Sequence, residues 1–267
     1  MMGDLWTIVW KEGREFTTPQ GRGWWSILNL TYNCVWLFVF GVGYPLLLGL
    51  MRLTAPLDLV LAFVTFAVLR PIMVIPRVIA DSVAGERERQ TLEPMLTTRL
   101  SARTLMLGKL SFAVIYGSGL TLLTILTGML VVALLQLPFL PVAQPAAAVT
   151  IVALSILTAG ITGEVGVLVS MDAHGVAQAT NNTIIWTFVL LVIGPTIGTA
   201  LVLQQVYDPS VILGALQGTG PLRLTAILAR VDWATTAPAT LGVLVLFNLL
   251  LLGRIVVRSR RTQLIRA

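Results

Sequence analysis

Six apolar runs, each about as long as a bilayer is thick, recur along this sequence with polar segments between them. They are Ile27 to Met51, Leu59 to Ile79, Leu105 to Gln136, Ala146 to Val169, Thr183 to Leu203 and Pro238 to Val257. A helix needs about 20 apolar residues to cross the hydrocarbon. Composition argues against a soluble alternative. The chain has 267 residues, long enough to bury a core, but only 11% are charged and the mean hydropathy is +0.88. A soluble domain carries about 25% charged residues, so too few exist here for a polar shell. The expected fold class is therefore all-α, a polytopic integral membrane protein with about six transmembrane helices. No internal repeat of the inverted kind found in many secondary transporters is visible.

Before the first run, Asp4 to Phe16 places Trp6, Val9 and Trp10 at helical spacing, with Lys11, Glu12, Arg14 and Glu15 on the other side. This pattern predicts an N-terminal amphipathic interfacial helix lying in the headgroup plane; an ordinary solvated helix is the alternative. Thr17 to Gly23 reads as a turn, and Trp24 and Trp25 mark an interface. Residues 1–26 thus form an entrance segment without a secretory pattern, and the first apolar run should act as its own insertion signal. Residues 27–257 form the transmembrane domain, and 258–267 a basic tail. Pro71 and Pro76 should kink the second span.

An even number of spans puts both termini on one side. With this register, that side holds the basic residues of the N-terminal helix, of 77–109 and of the tail. The other side holds Arg52, Arg223 and Arg230. Cytoplasmic loops carry the excess of Lys and Arg, so both termini are expected in the cytoplasm and the protein in the cell (plasma or inner) membrane. The same rule explains the net charge of +6 without a nucleic-acid partner, since no basic and aromatic surface is interleaved.

The longest polar stretch lies between the second and third runs, as a cytoplasmic loop at 81–104. Its informative part is Ala84-Gly85-Glu86-Arg87-Glu88-Arg89-Gln90-Thr91-Leu92-Glu93-Pro94-Met95-Leu96. Glu86 to Glu93 can form a helix with Glu86 paired to Arg89 and Arg89 to Glu93, and Pro94 should end it. Such exposed pairs are worth only about 0.2–0.5 kcal/mol each, so stability alone does not explain them. A small apolar patch at Leu92, Met95 and Leu96 beside the charged ridge suits docking into a groove on a soluble partner. A solvated loop that only anchors topology is the plainer reading.

This run, with Gly108-Lys109 closing the loop, resembles the cytoplasmic loop of the ABC-2-type permease family, the membrane-spanning subunits of ATP-binding cassette exporters. The likeness extends over the whole chain through the amphipathic first helix, the span count and the outer segment before the last span. It implies that Glu86, Arg87, Glu88, Arg89, Thr91, Leu92 and Glu93 couple the membrane domain to a separate ABC ATPase subunit. It also implies a dimer with a second permease copy or paralogue, export by alternating access, and a re-entrant outer segment at 207–235, with Val211 to Val231 as a gate. ATP and Mg would be bound by the partner subunit, with no cofactor in this chain. Arg99 departs from the family pattern, in which proline is frequent after the leucines.

Several chemistries lack their residues. Gly108-Lys109 is followed by Leu110, and Arg103 stands where the first glycine of a Walker A loop belongs, so no phosphate-cradling loop is present. With one cysteine, Cys34, and one histidine, His174, no disulfide can form within the chain, no cluster supplies zinc ligands, and a Ser-His-Asp site is not expected. No enzyme activity and no metal site are expected. Two other readings stand beside the permease: a membrane-embedded lipid-modifying enzyme and a non-transporting scaffold for a cytosolic partner.

Within the runs, Glu164 and Arg70 are ionisable residues that a bilayer penalises and function often retains. They could line a translocation path with Asn33 or pair with each other, or they could reach the interface by snorkelling. Asn29, Thr31 and Tyr32 lie close to Asn33 and could share a polar vestibule. Gly160, Gly163 and Gly166, and Gly194 and Gly198 beside Pro195, have the small-residue spacing that lets helices approach closely. That approach could be within one chain or across a dimer.

Overall fold

The computed structural model describes residues 2–17, 31–50, 56–90, 101–136, 145–193 and 233–264. Within them the chain is helical and contains no strand. Helix α1 is Met2–Thr17. Helix α2 covers residues 31–50 and widens to π-helix at Leu37–Gly43. Helix α3 is Pro56–Glu88, α4 is Ala102–Leu134 and α5 is Pro145–Ser170. Helix α6, Val176–Phe188, continues as π-helix through Val189–Ile193. Helix α7 is Trp233–Leu264.

Four stretches are long and apolar enough to cross a membrane: Phe63–Glu88, Ala102–Leu134, Ala148–Ser170 and Thr240–Ser259. The apolar part of α2, Thr31–Leu47, is shorter. The segment 207–235 lies outside the described residues up to Trp233, as do Gly194 and Gly198.

Side-chain pairs fix the direction of each helix. Ala67 meets Thr158, Ile75 meets Gly163 and Ile79 meets Gly166, so α3 and α5 run parallel. Phe63 meets Gly128 and Glu86 meets Lys109, so α4 runs against them. By the same reasoning α2 follows α4, through Asn33 with Tyr116 and Gly41 with Thr124. Helix α7 follows α5, through Asn248 with Leu157 and Arg258 with Asp172, whereas α6 runs against α5. The six helices from α2 to α7 therefore alternate in direction. Helix α3 packs chiefly on α5 and also on α4 and α6; α1 packs on α4.

The core is a continuous seam between these helices. Ile75, Val78, Ile79 and Val83 of α3 meet Met106, Leu110 and Ala113 of α4. A second cluster joins Phe63 and Ala67 to Ile125 and Ile151. Helix α3 runs on through Pro71 and Pro76. Proline lacks the N–H that would satisfy the carbonyl four residues earlier, which for Pro71 is that of Ala67. The Thr158 hydroxyl lies 2.9 Å from that carbonyl and shares its proton with Leu154 O at 2.8 Å. A neighbouring helix thus takes over the role of the missing donor, as membrane helices require.

The charged segment departs from its expected form. Helix α3 continues unbroken to Glu88 and closes in a turn at Arg89 and Gln90. Residues 81–88 are therefore the projecting end of the second-run helix rather than a separate short helix beginning at Glu86. The 33 residues of α3 span about 50 Å at 1.5 Å rise per residue, more than the hydrocarbon needs, so this end can project and remain helical.

Candidate functional site

Lys109 lies in the third turn of α4, whose start is capped by Ser101 accepting the Thr104 N–H at 3.1 Å. Its side chain is buried, and its ammonium reaches Glu12 Oε1 at 2.8 Å, Glu86 Oε1 at 2.9 Å and the Ser82 carbonyl at 2.6 Å. An ammonium has three donors, and all three find oxygen here. Two come from the end of α3 and one from α1. Buried ions hold only when such partners compensate their lost hydration. The cluster ties the start of α4, the end of α3 and the N-terminal helix into one body.

Close backbone approach makes the cluster reachable. A Cβ at Gly108 would lie 2.6 Å from Ile8 Cγ2, so only glycine lets α1 sit this near α4. One turn beyond Ile8, Glu12 then points at Lys109. The sequence pattern had placed Glu12 on the polar, outward side with Lys11, Arg14 and Glu15. The structure instead buries Glu12 and Ile8 and leaves Trp6 and Trp10 each 67% exposed. Glu12 and Ile8 are four residues apart and share one face, and the docking of α1 on α4 selects that face. Burial pushes the Glu12 carboxyl above its ordinary value; the attraction of Lys109 opposes this, and the nearby Glu86 carboxylate adds to it.

The rest of the charged run is bound to the link between α5 and α6. Arg87 donates to Met171 O at 2.8 Å and to Ala173 O at 3.0 Å. Glu88 Oε1 accepts the Val176 N–H at 2.9 Å. Helix α6 has Gly175 at its N-cap and no side chain there to satisfy the first free donors, so Glu88 caps it from another helix. A Cβ at Gly175 would fall 2.5 Å from that carboxylate. Arg89 folds back to Asp81 at 2.8 Å, and Arg258 of α7 pairs with Asp172. In place of the expected Glu86–Arg89 pair, Glu86 meets Lys109 of α4, and Arg89 turns back on Asp81 of its own helix. Thr91, Leu92 and Glu93 lie outside the described residues, as does the expected Arg89–Glu93 pair. Among the described residues, no group of three His, Cys, Asp or Glu lies close enough to hold a metal.

Inside the bundle, Arg70 is 2% exposed and donates from Nη2 to Asn33 Oδ1 at 2.7 Å. Its guanidinium carbon lies 4.9 Å from the centre of the Trp36 ring and 5.6 Å from that of Tyr32. Asn33 in turn donates to the Tyr116 hydroxyl at 3.4 Å. Glu164 is also buried, with Oε2 lacking a hydrogen-bond partner. The structure brings Arg70 and Asn33 together but not Arg70 and Glu164, so of the alternatives left open by the sequence the direct ionic pair is not formed. Arg70 sits instead against the inner face of α2. On α5, Gly160 abuts Asn248 of α7, and Gly163 abuts Leu110 and Ile75, all within one chain.

Two features of these sites were present in the sequence as spacing. Tyr32, Trp36, Phe40 and Tyr44 recur every fourth residue, and Phe66 and Arg70 do the same. One row packs on the other, with Phe40 and Phe66 edge-to-face and their centroids 4.8 Å apart. Ile8 and Glu12 carry the same signal for α1. Neither the family models nor the curated proteins compared with this sequence match it.

Proposed function

We propose that this chain is the permease subunit of an ATP-binding cassette exporter, driven by a separate ATPase that pushes on the charged end of α3. The observation that carries this reading is the Glu12–Lys109–Glu86 cluster. It joins the described part of the motif, residues 84–90, to α1 and to the start of α4, while Arg87 and Glu88 extend the same body to the start of α6. A displacement applied near residues 86–93 would then reach α1, α3, α4 and α6 together.

The remaining parts of the reading follow from the same arrangement. In this reading the six alternating helices serve as six spans, with α1 at the headgroups and both termini on the cytoplasmic side of the cell membrane; the four long apolar helices support it. The end bearing Lys11, Arg77, Arg87, Arg89, Lys109 and Arg258 is the basic end, which the positive-inside rule puts in the cytoplasm. Two such subunits, identical or paralogous, enclose the path between them. ATP binding favours the conformation that the closed ATPases fit better, and transport follows from that population shift. ATP and Mg belong to the partner, because this sequence contains no Walker A loop.

Replacing residues 86–93 by a Gly/Ser linker tests the reading in vesicles containing the chain and its ATPase. Transport should fall to background while ATPase activity persists uncoupled. Unchanged transport, or ATP hydrolysis by the purified chain alone, would remove the coupling role.

A further inference from the structure

Arg70 poses a charge problem that the coupling reading does not address. It lies 18 residues before Glu88 on one helix, about 27 Å from the charged end by helical rise, and so deep within a span. Only Nη2 has a hydrogen-bond partner; Nε and Nη1 are buried with none. No carboxylate lies within ion-pair distance among the described residues, and Glu164 is not its partner. Arg does not lose its charge in proteins, so relief by deprotonation is closed to it. Aromatic faces compensate part of the charge: Trp36 and Tyr32 offer their π-electrons, as cation–π geometry requires. They leave the N–H groups unsatisfied. Ionisable residues at such depth are retained for a partner.

We infer that Arg70, with Asn33, Tyr116 and the Tyr32–Trp36 wall, forms an intramembrane oxyanion site that takes the phosphate or carboxylate headgroup of an anionic amphiphile. Three chemical features select this class. The free guanidinium donors match oxyanion acceptors, and charge-assisted bonds of this kind are the short, strong ones. Asn33 and the Tyr116 hydroxyl add polar atoms beside them. The surroundings are aromatic and apolar, and Tyr32 is 37% exposed, so a ligand would enter from the membrane past that ring and keep its chain in lipid. Free inorganic phosphate would gain the charge contact but would lose its hydration without any apolar compensation.

The site is independent of the ATPase, so it is tested on the delipidated chain alone, and its failure would leave the coupling experiment untouched. Purified chain in neutral detergent is titrated with phosphatidylglycerol, phosphatidylcholine or inorganic phosphate, and bound lipid is counted by native mass spectrometry beside thermal melting. Phosphatidylglycerol should bind and raise the melting temperature, with phosphatidylcholine and phosphate at least tenfold weaker. Arg70→Met should lose that preference and melt no lower than the native chain when lipid is absent, since it removes an uncompensated buried cation. Asn33→Leu keeps the cation and should weaken phosphatidylglycerol binding several-fold, which decides the matter if Arg70→Met does not fold. Undiminished binding in either variant, equal binding of phosphatidylcholine, or equal binding of inorganic phosphate would overturn the inference.

Discussion

Glu12 is the residue whose environment departs furthest from what its neighbours in sequence suggest. Its carboxyl shares one ammonium with Glu86, and burial holds its proton more tightly than in the unfolded chain. A group raised in this way stabilises the folded state fully below its unfolded pKa and loses that contribution as pH rises through its folded value. The docking of α1 should therefore weaken as pH climbs above the ordinary carboxylate range. Glu12→Gln, which carries the protonated form's shape at every pH, should melt higher than the native protein at about pH 8 and converge with it near pH 4. Melting curves in detergent across that range check the sign; a native protein that gains on Glu12→Gln as pH rises would reverse it. Gln90 is informative in another way. It ends α3 with φ of 56°, a left-handed conformation that usually falls to glycine at this position.

Among the elements, α3 is the one through which the others are organised. It carries two internal prolines, the buried arginine and the charged end, and it packs on α4, α5 and α6. Its continuity at Pro71 depends on a donor from α5. Thr158→Val removes that hydroxyl at nearly constant volume and leaves the Ala67 carbonyl without a donor in an apolar setting. The expected loss is about 0.5–2 kcal/mol, the range of single hydrogen bonds between membrane helices. Thr158→Ser should retain most of the stability. Unfolding in mixed micelles measures both; a Thr158→Val variant as stable as the native chain would show that Ala67 needs no partner.

For the whole molecule, the decisive feature is where the charges and the apolar surfaces collect. Phe38, Leu46 and Leu47 on α2, Leu123, Leu126 and Leu130 on α4, and Val243, Leu246 and Leu249 on α7 are exposed. Apolar surface on this scale is a liability in water and is what lipid, or another membrane helix, covers. At one end, the N-terminal helix, the end of α3, the start of α4, the α5–α6 link and Arg258 are joined by ion pairs and hydrogen bonds. This end should face the cytoplasm. With Cys34→Ser as background, a single cysteine at Gln90 should react with an impermeant maleimide only after the cells are opened. Labelling in intact cells would put the proposed coupling surface on the wrong side of the membrane.

The apolar runs and the scarcity of charge were enough to dictate long helices that cannot live in water, because hydrophobic length is a property of the chain itself. The charged run from Glu86 to Arg89 could likewise be picked out from residue order alone. What each charge does was not legible there. The order of residues allowed Glu86 to pair with Arg89, allowed Arg70 to pair with Glu164, and put Glu12 on the outer face of its helix. Folding gave Glu86 and Glu12 to Lys109 and Arg70 to Asn33. The physical reason is range: a helix constrains neighbours three and four residues apart, whereas a buried charge must be met by whatever element packs against it, and only tertiary structure chooses that element.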